Sequence, residues 1–342
     1  MRLGFAVKVL GAGGLPSHDA RRWQSGPHLR TSLDRLDAIL THLDDHAIGM
    51  YRMATALAPY ASHPDLPQFR DQPAACGERL AEVGARARAL GVRLSTHPGQ
   101  YTVLNSEDET VQRLAVEEIE VQAELLDGMG LGPEAVVVLH VGGAAGGVPA
   151  GLDRFERGFA RLSAAARARV VVENDDRSFG TADVLRLAAR IGRPIVWDVL
   201  HHRCHDPDRI PDREALALAV ATWAPGVRPK VHFSTPRTAV GERRRRVGRR
   251  VERSLVLPPL RAHADLIDPI AFAHFATETA RGLDADVMLE AKAKDLALLR
   301  LREQLAARGV DLDEAARAPA WPATGRGDPP QHGLAADLSS CT

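Results

Sequence analysis

Eight short apolar runs, each followed by a longer stretch with helical spacing, are what most restrict the fold of this chain. The runs lie at residues 3–7, 48–53, 93–97, 135–141, 170–173, 194–199, 229–234 and 286–290. Between them, residues 29–46, 74–90, 110–126, 152–166, 181–191, 213–223 and 270–282 repeat apolar side chains at helical intervals. In the first of these, Leu33, Leu36, Ile39, Leu40 and Leu43 form one stripe. Asp108 or Ser106 is placed to open the third helix, and Gly91 follows the second. A strand that returns parallel to its predecessor needs a crossover long enough to hold a helix. Eight such units predict an α/β fold, a closed (β/α)8 TIM barrel forming a single domain over residues 1–310. No GxGxxG follows the first run, which disfavours a dinucleotide-binding open sheet. A last helix over 293–307 would cover the outside or bottom of the barrel. Residues 311–342, dominated from Ala318 by Pro, Gly, Ala and Ser, are expected to form a disordered tail.

Parallel barrels carry their chemistry at the carboxyl ends of the strands, and here those ends carry metal-binding side chains. The fifth run stops at Glu173, the sixth at Asp198 with His201 and His202 just beyond, and the eighth at Glu290. His97 and His140 end the third and fourth, and Lys230 and His232 lie on the seventh. His63 falls in the loop after the second run and His263 in the long segment after the seventh. One histidine or aspartate at a strand end is ordinarily structural, but this many on one rim point to a metal centre. Imidazoles mixed with carboxylates suit Mn, Zn or Fe better than Ca or Mg. The ligands exceed what a single ion needs, so a cluster of two or three divalent metals is expected. His18, His28, His42, His46 and His274 read as surface groups, and His202 as a supporting or packed residue.

The 44 basic and 44 acidic residues balance, so a polyanionic partner would have to meet a local patch. Arg243, Arg244, Arg245 and Arg246, followed by Arg249 and Arg250, supply one on the catalytic side of the barrel, either as a solvated loop or as a phosphate clamp. The three cysteines form no CxxC pair, which favours a reducing, cytoplasmic setting. No window approaches the ~20 apolar residues of a spanning helix. The segment HPGQY sets Gln100 and Tyr101 on a Pro-Gly turn above the mouth, either capping the barrel or free to wedge into stacked bases. Lys230 has two readings: a lysine paired with a neighbouring carboxylate, or one modified to a metal-bridging carbamate.

Taken together, LGF, YRMA with ASHPDL, HPGQY, VVLHVGG, ENDD, WDVLHH, KVHFS, RAHADLID and MLEAK resemble the UV damage endonuclease family, from residue 1 to about 295. The resemblance implies a metal-dependent DNA repair endonuclease activated by Mn, with Zn, Fe or Mg as alternatives. Such an enzyme nicks the backbone immediately 5′ to cyclobutane pyrimidine dimers, 6-4 photoproducts and abasic sites through metal-activated water. Carried over by motif, the ligands are His63, His97, His140, Glu173, Asp198, His201, His232, His263 and Glu290. Glu173, Glu290 and Lys230 are the catalytic candidates, with Lys230 matching a lysine that relatives carry in modified form. Gln100 and Tyr101 match the pair that probes the lesion, while Asn174 and Asp175 of ENDD take supporting roles. Phe5 stands where relatives often have tyrosine, and Lys8–Leu10 where they often have asparagine; the Phe would keep a stacking face for the lesion. The implied partner is double-stranded DNA bearing UV lesions, met by a monomer. The rivals are an endonuclease IV-like abasic nuclease, a xylose isomerase-like sugar isomerase and a non-cutting damage-recognition module.

Overall fold

The computed structural model describes residues 1–11, 13–248 and 250–317. Its strands are β1 (Leu3–Ala6), β2 (Met50–Arg52), β3 (Arg93–Ser95), β4 (Val137–His140), β5 (Val170–Glu173), β6 (Ile195–Asp198), β7 (Lys230–Phe233), β8 (Gly241–Val247), β9 (Arg250–Val256) and β10 (Asp286–Leu289). All but β8 and β9 form one eight-stranded sheet in the order β3-β2-β1-β10-β7-β6-β5-β4, every neighbouring pair parallel. A single parallel bridge, Thr96 opposite Val137, joins β3 to β4. The sheet therefore curls into a nearly closed barrel. All eight expected strands form, most of them trimmed at the ends of the apolar runs.

Strand side chains alternate between two surroundings. Val137, Leu139, Trp197, Val231 and Phe233 face the helices and share the main apolar core with them. Their neighbours point inward: Val136, Val138, Val171 and Val196 form one interior cluster with Trp223, and Ala6, Met50 and Met288 another. The same period of two corrects the reading of Phe5. Gly4 and Ala6 face the interior, whereas Phe5 lies in the helix-facing layer with no exposed surface. Its ring meets Tyr51 edge-on at 5.4 Å. Phe5 is a core residue and offers no face to DNA.

The helices Leu29–Asp45, Gly77–Ala89, Glu109–Gly128, Thr181–Ile191, Asp212–Ala221 and Lys294–Ala306 follow the expected stretches. Asp108 caps the third by accepting the Thr110 and Val111 N–H groups. The stretch expected as one helix at 152–166 is two, Val148–Ala160 and Ala164–Arg169, because Ser163 caps the second. The stretch at 270–282 is a helix, Pro269–His274, running into a π turn, Phe275–Thr279. His42 is buried and not on the surface, 3.3 Å from Asp295. Within the expected tail, Leu312–Arg317 is helical; the Ala315 carbonyl accepts the Gly282 N–H, and Asp313 meets the amino terminus at 2.9 Å. Residues 318–342 of that tail lie outside the described residues.

At the amino-terminal end, the barrel floor is ionic. Arg93 and Asp286 are both fully buried and 3.0 Å apart, and Arg2 reaches the same carboxylate at 2.8 Å. Arg93 also donates to the carbonyls of Glu134 and Arg228. Removing one partner of a buried pair leaves an uncompensated charge, at about 3–5 kcal/mol. Asp286→Asn is therefore expected to lower the urea midpoint by that equivalent with the slope unchanged. A loss under about 1 kcal/mol would show that the floor tolerates the unpaired arginines.

Candidate metal centre

Each barrel strand delivers its last inward side chain to the mouth. Val138 is followed two residues later by His140, Val171 by Glu173, Val196 by Asp198, Lys230 by His232 and Met288 by Glu290. On β3 the series Arg93, Ser95, His97 runs from floor to rim. His201 arrives differently, on a short helix, Val199–Cys204, that the apolar pattern does not announce. Asp198 caps that helix by accepting the His201 N–H at 2.7 Å, so a carboxylate and an imidazole three residues apart are locked together.

Glu173 is the centre of the arrangement. It has no exposed surface, yet four imidazoles surround its carboxylate. His97 Nε2 lies 2.9 Å away, His140 Nε2 3.8 Å, His201 Nδ1 3.6 Å and His232 Nδ1 2.8 Å. Glu290 is 3.5 Å from His232 and 3.7 Å from His263, and Arg52 donates to it. Three sets of ligand atoms converge within 4.8 Å: His97, His232 and Glu290; His97, His140 and Glu173; and Glu173, Asp198 and His201. His263 stands beside these sets without joining one. His63 is in none of them; its Nδ1 accepts the Asp65 N–H and its ring lies against Tyr60.

The donor set fits divalent cations on an observation independent of composition. His140 Nδ1, Asp198 Oδ2 and His232 Nε2 are buried and have no hydrogen-bond partner. Such atoms are costly unless something satisfies them. Backbone carbonyls orient two of the rings: the Pro98 carbonyl faces His97 Nδ1 at 3.2 Å, and the Asn174 carbonyl faces His201 Nδ1 at 3.1 Å. Partners of this kind fix which ring nitrogen is left for a metal. Asn174 also brackets Asp198, accepting its N–H and donating to its carbonyl. Asp175 folds the loop behind it by accepting the N–H groups of Arg177, Ser178 and Phe179. The loop after β4 turns at Gly142, whose φ of +107 and contact with Asn105 leave no room for a side chain.

The electrostatics follow from burial. Burial alone would raise Glu173, but the charges of His232 and His140 and hydrogen bonds from His232 and His97 hold it well below the usual carboxylate range. Glu290 is held low against the same burial by Arg52 and His232. Asp198 is pushed up to about 7 by burial, with His201 opposing and Glu173 and Glu290 adding. Burial disfavours charge on His201, but Asp198, Glu173 and Glu290 prevail and raise it to about 9. His97 is driven down to about 4 by burial despite Glu173.

Beneath the cluster, Lys230 is fully buried and its amine donates to Ser95 Oγ at 2.8 Å. Of its two readings, the carboxylate pairing is not formed: among the described residues no acid lies within ion-pair distance. Burial, then the charges of Arg52 and Arg93, hold the amine well below its usual range. Arg52 was missed because a basic side chain does not count as a ligand, although it occupies the last inward position of β2. Above the mouth, Gln100 and Tyr101 project on an exposed loop, with Tyr101 84% exposed.

A parallel barrel with imidazoles and carboxylates gathered at its carboxyl end is the architecture of metal-dependent barrel enzymes. The chain belongs to the UV-endonuclease UvdE family, whose model matches residues 29–315. It is 32% identical over 269 residues to a UV DNA damage endonuclease of Bacillus velezensis, covering 78% of each chain. It is also 32% identical over 283 residues to one of Halalkalibacterium halodurans, covering 81% of each. Among solved structures, SacUVDE is 27% identical with a TM-score of 0.74, over 90% of this chain and 99% of that one. A D-tagatose 3-epimerase-like protein, 15% identical with a TM-score of 0.52 over 92% of this chain and 98% of that one, shares the fold alone.

Protons compete with metals for these ligands. Asp198 holds its proton up to about pH 7 and His201 to about pH 9, so Mn affinity is expected to rise with pH across that interval. Calorimetric titration of chelator-stripped protein should show about tenfold tighter binding per pH unit for each proton displaced. Affinity that is flat from pH 6 to 9 would exclude Asp198 and His201 as ligands.

Proposed function

We propose that this chain is a metal-dependent DNA repair endonuclease that nicks the backbone immediately 5′ to cyclobutane pyrimidine dimers, 6-4 photoproducts and abasic sites. The observation that carries this reading is the cluster around Glu173, with its unpartnered ligand atoms, at the mouth of a UvdE-family barrel. His97, His140, Glu173, Asp198, His201, His232 and Glu290 would hold two or three divalent ions, Mn being the favoured metal, with His263 and His63 drawn in from the rim. Bound there, divalent cations neutralise phosphodiester charge and lower the pKa of water.

The protein's own part is positioning. Tyr101 and Gln100 wedge into the stack opposite the lesion, and the distorted dinucleotide is extruded toward the mouth at a cost of a few kcal/mol, less than for intact pairs. The run from Arg243 to Arg246 lies outside the metal cluster, where its positive charge favours backbone phosphates. Arg52 fixes the direction of the Glu290 carboxylate. Lys230, buried and short of a counter-ion, is suited to react as a neutral amine with carbon dioxide, releasing a proton and leaving a carbamate at the cluster's base.

Nicking of UV-irradiated supercoiled plasmid with Mn tests this reading. Relaxation is expected for irradiated plasmid and not for unirradiated plasmid, and a chelator should stop it. Cutting of depurinated plasmid alone would convert the reading to an abasic endonuclease, and cutting of neither would remove DNA as the substrate. Glu173→Gln is expected to slow nicking by more than the roughly 10–100-fold that loss of an outer-shell partner costs, while lesion binding persists. Tyr101→Ala is expected to weaken binding to lesion-bearing duplex by about 1–3 kcal/mol, leaving undamaged duplex unaffected. Nicking by Glu173→Gln at the normal rate would overturn the cluster's role.

A further inference from the structure

The arginine-rich segment after β7 is neither a loop nor part of the barrel. β8 and β9 form an antiparallel hairpin paired from Gly241 opposite Val256 to Val247 opposite Arg250. Seven residues per strand at about 3.4 Å each give an arm roughly 20 Å long. The side chains along β9 are exposed nearly throughout, so little of the arm is buried against the body. Its base is held firmly: Pro236 bridges His263, Arg237 N–H donates to the Ala262 carbonyl, and Ala264 N–H donates to the Thr235 carbonyl. Arg261, in the same base, meets Asp176 at 3.3 Å in the loop after β5. One continuous excursion thus carries both His263, 3.7 Å from Glu290, and the arginine-bearing hairpin.

The two faces of the arm differ. Strand register places Arg243, Arg245 and Arg250 on one face with Ser254 and Glu252, and Arg244, Arg246 and Arg253 on the other with Glu242. Glu242 binds Arg244 at 2.8 Å and Arg253 at 3.6 Å. Among the described residues, Arg243, Arg245 and Arg250 form no ion pair. An exposed two-stranded ribbon invites edge pairing with a second copy, but like charge along both strands opposes that. A ribbon of this kind fits the DNA major groove, and a free cationic face is complementary to phosphates.

We propose that this hairpin is a DNA-gripping arm whose Arg243–Arg245–Arg250 face docks on undamaged duplex flanking the lesion. The proposal rests on the reading of DNA as substrate and specifies where on the DNA the arm binds. It is tested by anisotropy with a long undamaged duplex, full-length protein and chelator present, across a salt series. Arg243→Gln/Arg245→Gln is expected to flatten the slope of log affinity against log salt by about two, at ~0.9 for each phosphate no longer neutralised. Arg244→Gln/Arg253→Gln, with the same change in charge on the other face, is expected to change it by less than half as much. Both pairs lie on an exposed arm, and an unchanged thermal midpoint shows that the body is folded. Equal slopes in both variants would indicate a diffuse field and overturn the proposal, as would a slope unchanged from the parent in the first. If the parent nicks irradiated plasmid while either of those results holds, only the arm assignment fails. If the parent neither binds nor nicks DNA, both readings fail together.

Discussion

A carboxylate with no exposed surface, Glu173, is placed where eight strand ends converge, and the rest of the site answers that constraint. An isolated buried carboxylate is prohibitively expensive. Glu173 is tolerable because four imidazoles close around it, and because Arg52 takes up the second carboxylate, Glu290. That accommodation is incomplete. Asp198 is left with one oxygen unpartnered and its acidity suppressed, and two ring nitrogens have no hydrogen bond. The protein's own groups leave these three atoms unsatisfied, as a site open to divalent cations would.

The barrel interior is built to hold this cluster from below. At the floor, Arg93 and Asp286 neutralise one another inside a shell of backbone carbonyls. Lys230 and Ser95 occupy the level between floor and mouth. Valines fill one side of the interior and Ala6, Met50 and Met288 the other. A polar column through an apolar barrel has little freedom, since each charged group is positioned by the strand that bears it and by the group above or below. Rigidity of this kind suits a site that must hold several ligands in fixed geometry.

The strands and most of the helices were legible because both faces of a parallel barrel strand are covered, so the apolar runs stand out. The ligands were legible because they end those runs. Less visible was anything set by direction. Phe5 and Gly4 differ by one residue and face opposite layers, and only the register of β1 against β2 decides which of them lines the interior. The helix carrying His201 was hidden because its six residues are too few to show a period. The hairpin was hidden because its strands bury almost nothing, leaving no alternation of apolar and polar residues to read. His63 is grouped with the ligands by motif alone, and its ring lies against Tyr60, outside the three converging sets of ligand atoms.

Everything proposed for the mouth around Glu173 turns on its being a multinuclear metal centre. Anomalous diffraction at the manganese edge, from crystals grown with Mn, measures this without reference to activity. At least two peaks are expected among His97, His140, Glu173, Asp198, His201, His232 and Glu290. Peaks confined to surface carboxylates, with the mouth empty, would contradict it.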